Sequence, residues 1–168
     1  SVKMKDMTID LGLPAKEVKS LVRVGDIITF KSPLVSMQNQ FVNGKSIDDR
    51  AGVAVLLETM KELDRLRFDA DVYFVATVQE EGGTRGATIT TYDINPDIGI
   101  AIDVTHGDTP DSPKEETHAM DKGPSISVGP NLHPKLTQRL MDTAKEYGIE
   151  HQIEVAPGPT GTDARAMQ

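Results

Sequence analysis

An α/β fold, with a central mostly parallel sheet flanked by helices, is what this sequence predicts, on three observations. Two apolar runs, Asp71–Val78 and Ile98–Ile102, have the length and β-branched content of buried strands. Apolar residues at helical spacing precede the first run, and a weakly helical stretch separates the two, which is a helix–strand–helix–strand order. At Ile47 the texture changes: residues 1–44 are short apolar runs cut by turn signals. Residues 1–44 are therefore read as part of a β-rich accessory domain, and residues 45–168 as part of an α/β domain.

In order along the chain, Met7–Leu11 is a short β-type run and Pro14–Val22 a single helix. Val24-Gly25-Asp26 turns into a strand at Ile27–Phe30, and Gln38–Val42 is a second strand closed by Asn43-Gly44. Asp48 or Asp49 is an N-cap for a helix running to about Arg67, with Val53, Leu56, Leu57, Met60 and Leu63 on its core face. Gly82-Gly83 and Gly86 end the first apolar run, a helical stretch reaches Tyr92, and Asn95-Pro96-Asp97 turns into the second. A polar loop spans Thr105–Gly123, and Pro124–Val128 is a strand. His133-Pro134 opens a helix to Tyr147, with Leu136, Leu140, Met141 and Ala144 inward and Gly148 as its stop. Ile149–Val155 is the last strand, Pro157–Gly161 a tight loop, and Ala164–Gln168 the start of a further helix.

The 168 residues are 38% hydrophobic and 26% charged, a globular composition able to bury roughly 70% of its unfolded surface. A formal net charge of −8 without clustered Lys or Arg speaks against nucleic acid as a partner. No apolar run approaches the ~20 residues of a membrane helix, and the N-terminus has no signal-peptide core. Zero Cys excludes disulfides, thiolate metal sites and a cysteine nucleophile, and sits comfortably with the cytoplasm.

Carboxylates carry the chemistry. Glu80 and Glu81 stand just past the carboxyl end of one expected strand and Asp103 just past the next, the edge at which α/β sheets bind ligands. Asp48 precedes a helix N-terminus, where negative charge is favoured. Gathered together, these groups would repel one another and need a cation to coexist. Of two adjacent glutamates, one can bind metal while its neighbour acts as general base on an attacking water. Taken singly, a cap, a turn residue and a solvated loop remain the commoner roles of each. No pair among His106, His118, His133 and His151 has metal-ligand spacing. No Gly-x-Ser-x-Gly elbow or phosphate loop appears, and 4% aromatics with no Trp suit a sugar-cleaving site poorly.

The segments Asp-Asp-Arg-Ala-Gly at 48–52, Glu-Glu-Gly-Gly-Thr-Arg-Gly-Ala at 80–87 and Asp-Val-Thr-His-Gly-Asp-Thr-Pro at 103–110 together resemble metallopeptidase family 42. Gly-Pro-Asn-Leu-His-Pro at 129–134 and Gly-Thr-Asp-Ala-Arg-Ala-Met-Gln at 161–168 complete the resemblance. The family holds glutamyl and deblocking aminopeptidases, some once labelled endoglucanase M. The resemblance implies that residues 1–44 belong to an inserted dimerisation domain. It implies two divalent metal ions (Zn or Co), with Asp48 bridging them, Glu81 and Asp103 each a ligand of one, and Glu80 the general base. It also implies a peptide substrate and a homo-oligomer built on dimers, dodecameric in intact relatives.

Gly82 and Thr84 stand where Val and Leu are usual in that motif, a change at loop-packing positions. The family's two histidine ligands lie in segments before the dimerisation domain and after the Gly-Thr-Asp-Ala motif. The chain is thus expected to be an internal portion of an aminopeptidase with little activity alone; the alternative is a non-catalytic scaffold or assembly module of the same fold.

Overall fold

The computed structural model describes residues 2–167, which divide into two compact units, Ser1–Lys45 and Ser46–Gln168. In the first unit, Pro14 stands at the N-cap of α1 (Ala15–Leu21), where its missing N–H is not needed. β1 (Val35–Ser36) and β2 (Val42–Asn43) form a short antiparallel ladder, Val35 opposite Asn43 and Ser36 opposite Val42. Gln38–Gln40 is a single 3-10 turn, so the strand expected over Gln38–Val42 shrinks to its last part. The strands expected at Met7–Leu11 and Ile27–Phe30 do not form; the first follows a 3-10 turn at Met4–Asp6. Ile27 and Phe30 are 90% and 88% exposed. An extended run becomes a strand only by pairing, and the only ladder among the unit's described residues joins 35–36 to 42–43.

The second unit opens with α2 (Ile47–Leu63). Asp48 and Asp49 have non-helical backbone angles, so the regular helix begins after them. Asp49 Oδ1 accepts the Gly52 N–H at 2.8 Å, which makes Asp49 the cap and resolves the Asp48/Asp49 ambiguity. The helix stops four residues short of Arg67 because its final carbonyls are taken by i→i+3 bonds at Arg65 and Leu66, tightening the last turn. Val53, Leu56 and Leu63 are half-buried as the periodicity predicts, whereas Leu57 and Met60 are 52% and 43% exposed. α3 (Arg85–Ile94) ends on Asn95 in the left-handed region, whose N–H bonds Thr91 O.

β3 (Ser125–Val128) and β4 (Gln152–Val155) pair in parallel, Ile126 beside Ile153, with α4 (Pro134–Glu146) as the crossover. α4 packs against β3, burying Thr137 and Ala144, while Leu140 stays 42% exposed. Residues 149–151 lie outside β4, since its first ladder bond is Gln152 N–H to Pro124 O. Asp163–Ala166 is a 3-10 turn where a further helix was expected; Gln168 lies outside the described residues.

The fold is α/β, but 71–78 and 98–102 differ from the expected central strands. Both run without a ladder among the described residues. Val72, Tyr73, Ile98 and Ile100 are 47–64% exposed. A buried sheet strand needs neighbours on both edges and cover on both faces, and the described residues supply neither. The accessible surface shows the same shortfall: 14463 Å², against about 8,100 Å² for a compact monomer of this mass. The expected 70% burial is therefore not reached; among the described residues, Ala87 and Ala144 are the buried hydrophobic ones.

Candidate active site

The second unit contains a cavity of about 800 Å³. Its apolar wall comes from α2, α3 and the extended segments 70–77 and 98–102. Asp48, Asp49, Glu80, Glu81, Asp103 and Asp163 line it as well. Asp48, Glu80, Glu81 and Asp103, the four residues singled out by sequence, thus border one space. None of the four histidines lines it. His118 N–H bonds His106 O in the long loop, and His151 Nδ1 lies 3.0 Å from Ile149 O.

Local chain geometry explains how each carboxylate arrives there. Because Asp49 is committed to capping, Asp48 is spared that role. Gly52 permits the arrangement, since a Cβ there would collide with the Asp49 carboxylate. The Glu80-Glu81 pair rides on a tight turn in which Glu80 O accepts both the Gly83 and Thr84 N–H groups at 2.8 Å. Gln79, Gly83 and Thr84 have φ of 57°, 108° and 54°. The β-branched Thr84 makes this a strained turn, and such strain concentrates at functional sites. Asp103 Oδ1 accepts the Val104 N–H at 2.8 Å, holding its side chain against its own backbone.

Asp163 was not assigned a role from sequence, although it stands in the quoted Gly-Thr-Asp-Ala segment. Thr77 Oγ1 donates to Asp163 Oδ2 at 2.5 Å, across the length of the unit in sequence. Its other oxygen, Oδ1, is buried without a hydrogen-bond partner. Nothing local in the sequence signals that contact.

The carboxylates perturb one another. Burial, then the charges of Asp103, Asp163, Glu81 and Asp48, raise the Glu80 pKa above its ordinary 4.5. Burial raises Asp103 above 3.8, opposed by its Val104 bond and assisted by Asp49, Asp48 and Asp163. Asp49 is raised by burial, with the Gly52 bond pulling the other way. A carboxyl whose pKa rises on folding contributes stability present below its unfolded value and lost as pH climbs through the folded one. In the metal-free chain these groups are therefore expected to lower the melting temperature as pH climbs upward from their ordinary values of 3.8 and 4.5. E80Q and D103N should flatten that slope, and a slope indifferent to both substitutions would assign it elsewhere.

The chemistry of this donor set suits a divalent cation. An orphaned buried carboxylate oxygen on Asp163, among carboxylates that raise one another's pKa, is what a cation would relieve. Among the described residues, however, no group of three or more His, Cys, Asp or Glu is arranged to hold an ion alone.

Residues 1–168 match the M42 glutamyl aminopeptidase family. The chain is 37% identical over 162 residues to a lysyl aminopeptidase of Pyrococcus furiosus, covering 95% of this chain and 46% of that protein. It is 30% identical over 152 residues to a glutamyl aminopeptidase of Lactococcus lactis, covering 84% and 40%. Among solved structures, a TET aminopeptidase from a marine sediment Thaumarchaeota archaeon superposes with a TM-score of 0.88 at 34% identity, covering 99% of this chain and 49% of that one. The Pyrococcus horikoshii TET1 peptidase, which can assemble into a tetrahedron or a large octahedral shell, gives 0.76 at 31%, covering 94% and 47%. The chain thus spans about half the length of these relatives. No helix among the described residues is long and apolar enough to cross a membrane. On the family match and these identities together, this chain belongs to the M42 peptidase family.

Proposed function

We propose that this chain supplies the carboxylate half of the active site of a dinuclear-metal aminopeptidase that releases N-terminal residues from peptides. The observation that carries the reading is the convergence of Asp48, Glu80, Glu81 and Asp103 on one cavity. Asp48 would bridge two ions, and Glu81 and Asp103 would each bind one. Two divalent cations, Zn or Co, would polarise the scissile carbonyl and lower the pKa of water toward neutrality. Glu80 takes the proton from the attacking water and later delivers it to the leaving amine. Burial and the neighbouring carboxylates raise its pKa above the ordinary 4.5, the direction that favours a group which must both take and return a proton.

In this reading residues 1–44 are part of a dimerisation domain and residues 45–168 part of the catalytic domain. The whole protein works in the cytoplasm as a homo-oligomer, with neither nucleic acid nor membrane as partner. The chain's matches to aminopeptidases, some of them in oligomeric shells, support it.

The test is hydrolysis of aminoacyl-anilides and short peptides by the full-length protein loaded with Zn or Co. Intact substrates after prolonged incubation would sink the reading and leave the assembly-module alternative. For this chain alone, calorimetric titration is expected to show weak Zn binding, because imidazole ligands are lacking at the cavity. Tight two-site binding would contradict that.

A further inference from the structure

We infer that the turn at 162–167 is a clasp which fixes the two carboxylate-bearing segments relative to each other, with Asp163 as a positioning residue acting through Thr77. Two contacts from one short turn make the case. At one end, Asp163 Oδ2 accepts the Thr77 hydroxyl at 2.5 Å. Thr77 lies three residues before Glu80, so this bond anchors the segment that delivers the Glu80-Glu81 pair. At the other end, Met167 packs onto Gly99, where a Cβ would stand 2.9 Å from the Met167 sulfur. Gly99 is in the segment that delivers Asp103. The absence of a side chain at 99 is what allows the approach.

The turn is suited to holding a distance because it is braced internally. Thr162 Oγ1 accepts the Ala164 N–H at 3.3 Å and lies 3.0 Å from Thr160 Oγ1. The Arg165 and Met167 N–H groups bond Thr162 O and Ala164 O. It also packs on α3, the helix that follows the glutamate turn. Among the described residues, segments 71–78 and 98–102 have no ladder to set their spacing, so a side-chain tether bears more of that task than in a paired sheet. A tether matters because loosening catalytic groups by about 1 Å costs on the order of 100-fold in rate.

The test has a structural arm and an activity arm, and only the second rests on the peptidase reading. Hydrogen exchange at the Gly83 and Thr84 amides, both bonded to Glu80 O, reports the glutamate turn directly. T77V and D163A in the full-length protein are expected to speed exchange at both amides at least ten-fold, with T77S restoring wild-type rates. On peptide substrates, the same two variants are expected to lose at least ten-fold in kcat with KM within two-fold. The T77V/D163A double variant should be no worse than D163A alone, since the bond that T77V removes is already gone in D163A. Unchanged exchange, a T77S that behaves like T77V, or multiplying losses in the double variant would each overturn the clasp. A wild-type protein that is inactive, with exchange responding as expected, would instead overturn the peptidase reading and leave the clasp standing.

Discussion

Replacing Glu80 by Gln in the full-length protein is expected to lower kcat by about 10²–10⁴-fold, the usual contribution of a general base. The amide keeps the shape of the side chain and cannot take a proton. KM should change little, because the loss falls on the transition state alone. E81Q supplies the contrast. It is expected to lose tight binding of one metal equivalent, read by elemental analysis after dialysis, and to recover activity in part at high metal concentration. E80Q should retain both equivalents and show no such recovery. Adjacent side chains in one turn would thus fail in distinguishable ways. If E80Q lost metal and E81Q did not, the two assignments would have to be exchanged. If neither lowered kcat ten-fold, the glutamate turn would not be catalytic.

The glutamate turn itself is legible in the sequence because adjacent glutamates before paired glycines form a local pattern. The turn at 79–84, with Gly83 in the left-handed region, follows from it. Helices α2, α3 and α4 were legible for the same reason: apolar periodicity, a Pro at N1 of α4 and Asn or Gly stops are all local signals. The β3–α4–β4 unit was readable because α4 brings the two strands together within one stretch of chain. Segments 71–78 and 98–102 mark the boundary of such reading. Their apolar, β-branched content fixes an extended backbone, but a ladder belongs to two segments, and none forms at either among the described residues. Asp163 was hidden for a related reason. Its tie to Thr77 joins positions far apart in sequence, and an aspartate in a polar turn carries no local mark of burial. The Asp48/Asp49 ambiguity had a subtler origin, since either residue could cap the helix. Only the bond from Gly52 selects Asp49.

The second large effect is expected at a residue with no chemistry of its own. Gly86 is the second residue of α3, where the helix passes the end of the 71–78 segment, and its N–H bonds Val78 O at 2.9 Å. A Cβ at Gly86 would stand 2.5 Å from both the Val78 nitrogen and the Val78 oxygen. Neither is the end of a flexible side chain, so the strain can be relieved only by moving α3 away from Val78, and with it the turn carrying Glu80 and Glu81. Overpacking of this kind costs about 1–3 kcal/mol, and alanine's better helix propensity returns at most ~1 kcal/mol. G86A is therefore expected to lower the melting temperature by several degrees, by roughly 2–4 °C per kcal/mol at this size. It should also lower kcat at least ten-fold, because the displaced turn carries both the proposed base and a proposed ligand. Gly82 is the control. A Cβ there would meet Gln79 O at 3.6 Å, an ordinary contact, so G82A should leave both quantities near wild type. A G86A protein as stable and active as G82A would mean that the helix can shift without carrying the glutamates, and the geometry of the site would then have to be fixed elsewhere.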